Sequence, residues 1–396
     1  MKAFSYRDTW AEISLNHIEE NFLQLKQWVN PHAKIMTVVK ADGYGHGAVE
    51  VSKTAIQAGA DYLAVAFLDE AIELRAAGIT APILILGYTP VHSVKKAIQH
   101  NITLTVFDHD VLDEIIIQSS LVRETASIHL KVDTGMSRIG VTTAMEVFSL
   151  AKKAAAAPFV DLEGIFTHFA NADSEDTSFT ESQFKKFQTI VEYLANHHLP
   201  IPLKHCCNSA ATMKFPRMHL DMVRIGIALY GFYPDASLKN LPIKLKQAMS
   251  LKTKIVAIKT VPISQPVSYG CTWKASCPSR IATLPIGYAD GLSRYLSNRG
   301  HVLIHGQKSA IAGRVCMDQT MIDVTHIQPC SPGDEVTIFG ADGSAFQSVD
   351  EVATLMGTIH YEVVCLIGKR VPRIYVKKNK LFALAGTPEN HSEQIK

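Results

Sequence analysis

The sequence predicts a (β/α)8 barrel followed by a mostly antiparallel β domain. Three observations carry that prediction. From residue 35 to about 230, short β-branched runs alternate with longer amphipathic stretches; the runs number eight; and after Tyr233-Pro234-Asp235 the alternation gives way to strands punctuated by Gly and Pro. The 396 residues are 47% hydrophobic and 19% charged, enough to bury one large core or two domains and too apolar for a disordered chain.

The strand runs fall at 34–40, 62–66, 82–86, 102–106, 128–132, 162–166, 203–206 and 222–225. Between them, stretches such as 71–77, 91–99 and 184–195 carry apolar residues at three- and four-residue steps, which is helical spacing. The barrel is expected over 1–243 and the β domain over 244–380, with only 348–356 reading as helix in the latter and 381–396 as a polar tail.

Charge and cysteine usage exclude several classes of function. Lys plus Arg (39) nearly balance Asp plus Glu (37), and the net +2 is scattered, so neither nucleic acid nor an anionic membrane is an expected partner. No apolar run approaches the roughly 20 residues that span a bilayer. Arg7 and Asp8 stand where a signal peptide would be apolar, so a cytoplasmic protein is expected. Seven cysteines without a C-x-x-C pair argue against a disulfide framework or a thiolate zinc site. His301 and His305 bracket a strand-like run, and no metal site is expected there.

Barrel enzymes carry their chemistry at the C-terminal ends of the strands. The first run ends in Lys40, and a lysine at an apolar strand end is costly unless paired, modified or neutral. That environment suits an amine that forms a Schiff base with a carbonyl cofactor; the bland reading is a lysine snorkelling to water. Gly43-Tyr44-Gly45-His46-Gly47-Ala48 also fits the relaxed dinucleotide-binding pattern, yet Tyr44 and His46 are bulky for a pyrophosphate turn and Lys40 is left unexplained. Other strand ends offer Arg138, His168, Ser209 and Arg224. Ser209, Gly226 and Ile227 occupy the loops where barrels cradle phosphate.

With these residues in place the chain resembles the alanine racemases, pyridoxal-phosphate enzymes built from a barrel and a β domain. The resemblance runs from Trp10-Ala11-Glu12-Ile13 to Arg370-Val371-Pro372-Arg373-Ile374-Tyr375. Its most specific segments are Val39-Lys40 with the glycine loop that follows, Val267-Ser268-Tyr269-Gly270, and Gly313-Arg314-Val315-Cys316-Met317-Asp318. Gly43, Ser137 and Val364 depart from the usual pattern, and none of them is a reacting group.

The resemblance implies racemisation of alanine by two bases, Lys40 on one face of Cα and Tyr269 of the partner subunit on the other, supplying D-alanine for bacterial peptidoglycan. It further implies that Tyr44, Ser209, Tyr361 and the backbone of Gly226 and Ile227 hold the cofactor phosphate, and that Arg224 faces the pyridine nitrogen. Arg138 would reach the ring hydroxyl and the substrate carboxylate, with Lys131 as a carbamylated brace for it. Met317 would contact the substrate carboxylate through its backbone, and Tyr288 and Asp318 would line the entrance. His168 and Arg224 are the groups expected to stabilise a Tyr269 phenolate. An arginine, always protonated, at the pyridine nitrogen discourages a proton there and so restrains transamination. The alternatives are a racemase for another small amino acid such as serine, a decarboxylase of the same fold, and a non-catalytic pyridoxal-phosphate carrier. Carriers consist of the barrel alone, and the β domain with Tyr269 argues against them.

Overall fold

The computed structural model describes residues 6–378 and 380–385. Two compact units divide the chain, one formed by His17–Gly43 with Ala48–Lys246, the other by the segment ending at Asn16, the turn Tyr44–Gly47, and the chain from Gln247 onward.

β1 (Thr9–Ser14) belongs to the second unit, and the barrel is made by the next eight strands: β2 (Lys34–Val38), β3 (Tyr62–Val65), β4 (Ile83–Ile85), β5 (Leu104–Val106), β6 (Ala126–Lys131), β7 (Val160–Phe166), β8 (Leu203–His205) and β9 (Met222–Ile225). Each of the eight expected runs overlaps one of them, with β6 and β7 each starting two residues before the expected run. All pairings are parallel, in two four-strand sets, β4-β3-β2-β9 and β5-β6-β7-β8. The first seam is closed by a parallel bridge between Leu84 and Thr103. The second is closed by Asp221 N–H donating to Lys204 O (3.1 Å) and Arg224 N–H to Cys207 O (3.0 Å).

These strands read as unbroken apolar runs because both faces are covered; β3, β4, β5 and β9 are buried throughout. Helices follow most of them, with ends written in the sequence. Asp108 caps His109–Val122 by accepting from Val111 N–H, and Thr143 with Glu146 forms a capping box for Ala144–Ala155.

The second unit carries β10 (Met249–Lys254), β11 (Ala257–Val261), β12 (Pro266–Val267), β13 (Trp273–Lys274), β14 (Ser279–Leu284), β15 (His301–Ile304), β16 (Gln307–Ala310), β17 (Thr320–Asp323), β18 (Glu335–Asp342), β19 (Ala345–Gln347), β20 (Arg373–Lys377) and β21 (Lys380–Ala385). Its main sheet runs β16-β15-β18-β10-β1-β20-β21, with β19 beside β18; β11-β14-β17 form a second sheet and β12-β13 a hairpin. Among the described residues of this unit only β1 and β20 pair in parallel.

Three expectations need correcting. β1 pairs with β10 and β20, so the N-terminal strand belongs with the β domain and not with the barrel. A second helix, His360–Cys365, follows Val349–Met356; its six residues are too few to show a period. Residues 381–385, expected in the tail, complete β21, where Ala383 pairs with Tyr375. Residues 386–396 of that tail lie outside the described residues. Among the described residues no helix is long and apolar enough to cross a membrane.

Candidate active site

The barrel gathers one set of the predicted residues at the C-terminal ends of its strands. Lys40 follows β2 and is half-buried. Directly after it the chain makes a left-handed turn, with φ of 52° at Ala41, 53° at Asp42 and 60° at Gly43. For Ala41 and Asp42 such a backbone costs about 1–2 kcal/mol each. Three contacts offset that cost: Glu70 accepts from Ala41 N–H (2.6 Å), Asp42 accepts from Ala48 N–H (2.9 Å), and Gly43 N–H donates to Val39 O (2.8 Å). Glu70 also accepts from Ala66 N–H (2.7 Å), which ties the turn to the end of β3.

Arg224, on β9, is the hub of the set. Its guanidinium is buried and donates from Nη1 to His205 Nδ1 (2.8 Å) and from Nη2 to Thr167 O (2.9 Å), Cys206 O (3.0 Å) and His168 Nδ1 (3.3 Å). Burial pulls it down to about 10, still far above neutrality, so it stays charged. Since a guanidinium only donates, both histidines accept at Nδ1 and carry their hydrogens on Nε2. Burial, then the positive charges of Arg224, Lys131, Arg138 and Lys40, hold His168 well below the ordinary histidine range. It is a neutral imidazole with Nε2–H available to a ligand. Lys131 is buried with its Nζ 4.5 Å over the Phe166 ring, and burial together with Arg224 and Arg138 drives it well below the usual lysine value.

Arg138 is exposed at the end of a loop folded around Asp133, whose carboxylate accepts from Gly135 N–H (2.8 Å), Ser137 N–H (3.1 Å) and Arg138 N–H (3.1 Å). Burial alone would raise Asp133, but those bonds and Lys131 bring it below the ordinary carboxylate value.

An anion cradle lies after β8 and β9. Asn208 caps the helix Ser209–Lys214, and Ile227 opens the short turn Ile227–Tyr230, so the leading N–H groups of both elements lack helical acceptors. Ser209 Oγ accepts from Gly226 N–H (2.9 Å) and Ala228 N–H (3.4 Å), which leaves its own hydrogen to give. The Gly226 N–H is thus engaged with Ser209. Donors at the cradle, a lysine at a strand end and a charged guanidinium form a set that fits pyridoxal phosphate in chemistry.

Sequence reasoning missed what stands behind Arg224. His205 Nε2 donates to His129 Nδ1 (2.9 Å), His129 Nε2 donates to Glu163 (3.1 Å), and Tyr62 also donates to Glu163. A register shift between β6 and β7 skips Glu163, pairing Ile128 with Leu162 and His129 with Gly164, so Glu163 sits in a bulge. Gly164 makes room for the imidazole: a Cβ there would lie 2.6 Å from the His129 ring. These residues are 34 to 101 positions apart, and no spacing rule links them.

The second unit holds the remaining predicted residues in two groups. Tyr44 and Tyr361 have ring centroids 6.2 Å apart, and burial, with Tyr361 beside it, raises the Tyr44 hydroxyl so that it stays a donor. The glycines around Tyr44 serve close packing: a Cβ on Gly45 would lie 2.3 Å from Val364 O, and one on Gly47 1.7 Å from Tyr375 Oη. Steric demand thus accounts for these two glycines without a pyrophosphate turn.

In the other group, Tyr269 stands 71% exposed at the tip of the β12-β13 hairpin. Tyr288 N–H donates to Cys316 O and Ala289 N–H to Met317 O (both 3.0 Å), while Asp318 pairs with Arg370 (2.7 Å). Tyr269, Tyr288, Met317 and Asp318 therefore arise from neighbouring loops of one unit.

Comparison with known proteins agrees with this architecture. Residues 13–234 match the family described as alanine racemase, N-terminal domain, and residues 248–375 the family described as alanine racemase, C-terminal domain. The chain is 55% identical over 97% of its length to alanine racemase 2 of Oceanobacillus iheyensis, of which 97% is covered. The crystal structure of alanine racemase from Bacillus anthracis with bound L-Ala-P is 41% identical, with a TM-score of 0.91 over 96% of this chain and 98% of that one. A histidine racemase from Leuconostoc mesenteroides is 30% identical, with a TM-score of 0.86 over 94% and 98% of the two chains. Fold, paired domain matches and nearly full-length identity lead to one conclusion: the chain belongs to the alanine racemase family.

Proposed function

We propose that the protein interconverts L-alanine and D-alanine with pyridoxal phosphate, as a homodimer in which the barrel of one subunit and the β domain of its partner complete each site. The observation that carries this reading is the buried Arg224, which fixes His168 as a neutral donor at the mouth of the barrel that also presents Lys40.

When bound, pyridoxal phosphate would supply the electron withdrawal from Cα that makes its hydrogen acidic. Lys40 Nζ removes the α-proton of the D isomer from one face while Tyr269 Oη of the partner subunit gives one to the other face; for the L isomer the two exchange roles, so each group works only on its own face. A phenol acts as a base once its phenolate is stabilised, and His168 Nε2–H with the Arg224 charge behind it supplies that stabilisation. Ser209 Oγ–H, the backbone of Gly226 and Ile227, Tyr44 and Tyr361 would hold the phosphate. Arg224 opposes a proton on the ring nitrogen, which keeps the electron sink shallow. Arg138 orients the substrate carboxylate. Burial with Arg224 and Arg138 beside it lowers the Lys131 amine, which favours the uncharged form that takes up carbon dioxide, and a carbamate there would brace Arg138.

Incubation with L-alanine in heavy water tests the reading: the products should be both enantiomers, with deuterium at Cα of the D isomer. Exchange without inversion would overturn the two-base scheme. A second substrate is worth running because one structural neighbour is a histidine racemase. Inversion of L-histidine or L-serine in preference to L-alanine would overturn the substrate assignment.

A further inference from the structure

Among the described residues, the most distorted backbone beside a reacting group is at Ser268, immediately before Tyr269. Its φ of 69° and ψ of 179° fall in a region that only glycine enters without strain. Gly270 (φ 72°) and Cys271 (φ 49°) also have positive φ, so three of the five residues between β12 and β13 do.

Contacts from two other loops hold this conformation. Ser268 Oγ–H donates to Arg314 O (2.6 Å) and lies 3.5 Å from Cys316 Sγ. Gly313 permits that approach, since a Cβ there would lie 2.6 Å from Val267 O and 2.7 Å from Ser268 Cβ. Gly313 N–H in turn donates to Asn298 Oδ1 (2.7 Å), and Asn298 Nδ2 reaches across to Thr272 Oγ1 (3.0 Å). Below the tip, Val267 is buried with Ile281 and Ala312, and Trp273, its partner in the hairpin register, packs on them. The stem is thus fixed by apolar contact and the tip by Ser268 and Asn298.

We propose that Ser268 is a positioning residue for Tyr269. Its hydroxyl locks the strained tip onto the Arg314–Cys316 segment, so that the phenol and the loop bearing Met317 and Asp318 are held in one register. The proposal rests on the reading of Tyr269 as a base. A proton transfer is sensitive to such register, and a misplacement of about 1 Å costs on the order of 100-fold in rate.

The test compares Ser268→Ala, which loses the hydroxyl but keeps a Cβ, with Ser268→Gly, which loses the hydroxyl and adopts the backbone without strain. Both should fold, by an unchanged near-ultraviolet circular dichroism spectrum, and lose about 10- to 100-fold in kcat/KM. The primary isotope effect with deuterium at Cα should rise for L-alanine, whose proton goes to Tyr269, and not for D-alanine, whose proton goes to Lys40. In protein stripped of cofactor, the fluorine resonance of 3-fluorotyrosine placed at Tyr269 should broaden or split in both variants. Wild-type rates and an unchanged fluorine line in Ser268→Gly would overturn the proposal. Racemisation that survives Tyr269→Phe would instead overturn the base assignment, and the fluorine line would still report on Ser268.

Discussion

At the scale of single residues, the barrel interior is a place where cations are dear and neutral imidazoles are kept neutral. His205 is held well below the ordinary histidine value by burial first and then by Arg224, and His168 by the same two causes in the same order. His219 is lowered by burial too, against a bond to Thr212 O that favours its charged form. The sign of the consequence follows from proton counting. With folded values below 6.5 and unfolded values near 6.5, the unfolded chain binds more protons as the medium is acidified, so stability present above pH 6.5 is lost as pH falls towards each folded value. Each histidine contributes up to about 1.4 kcal/mol per pH unit within that window. Asp133 and Glu163, both lowered, extend the same trend below the carboxylate range. Urea unfolding followed at pH 7.5, 6.5 and 5.5 should therefore give a flatter dependence between the first two values than between the last two. Replacing His205 by Phe, which stacks and cannot take a proton, should reduce the acid slope; an unaltered slope would remove His205 from the account. Stacking already dominates one face of that ring, which lies 4.8 Å from Phe166 at an interplanar angle of 6°.

Elements show where sequence reading succeeds and where it stops. The eight barrel strands were legible because each is a short, nearly continuous apolar run, the form a strand takes when it is covered on both faces. β1 escaped because its partners are distant: Ala11 pairs with Leu251 on one side and Arg373 on the other. The candidate residues at the strand ends could be found from the barrel rule alone, but the proton-bonded row from Arg224 to Glu163 could not, since a bulge in β7 creates it. The left-handed turn after Lys40 was equally hidden, because Ala41 and Asp42 give no sign of positive φ. Its stability depends on Glu70, which accepts from Ala41, Ala66 and Phe67 N–H groups. Glu70→Ala would leave three donors unanswered and release the turn, so a stability loss of about 1–3 kcal/mol is expected, with a fall in kcat through misplacement of Lys40. Glu70→Gln, which still accepts through one oxygen, should fall between the two. Equal activity in all three proteins would show that the turn holds itself.

For the whole molecule, the division of labour between units makes a quantitative prediction about assembly. Lys40, His168, Arg224 and the anion cradle belong to the barrel unit, whereas Tyr269, Tyr288, Met317 and Asp318 belong to the other. If a site takes its lysine from one subunit and Tyr269 from the partner subunit, then Lys40→Ala and Tyr269→Ala homodimers each lack one base in both sites. A mixed dimer is different. One of its sites draws both bases from the unaltered positions, and the other lacks both. Equal amounts of the two variants, allowed to exchange subunits at random, give half mixed dimers with one working site in two, so activity should recover to about one quarter of the wild-type value. The recovery should scale with the product of the two variant fractions and peak at an equal mixture. It should also need exchange, appearing after dilution and reconcentration or brief mild denaturation, and not on simple mixing of tight dimers. Size-exclusion chromatography of the mixture separates the possible failures. Exchange shown by a tagged subunit, with no recovered activity, would mean that each subunit completes its own site, and the shared-site reading would be lost. An activity curve linear in one variant would point to residual turnover by that variant alone, which the unmixed controls measure directly.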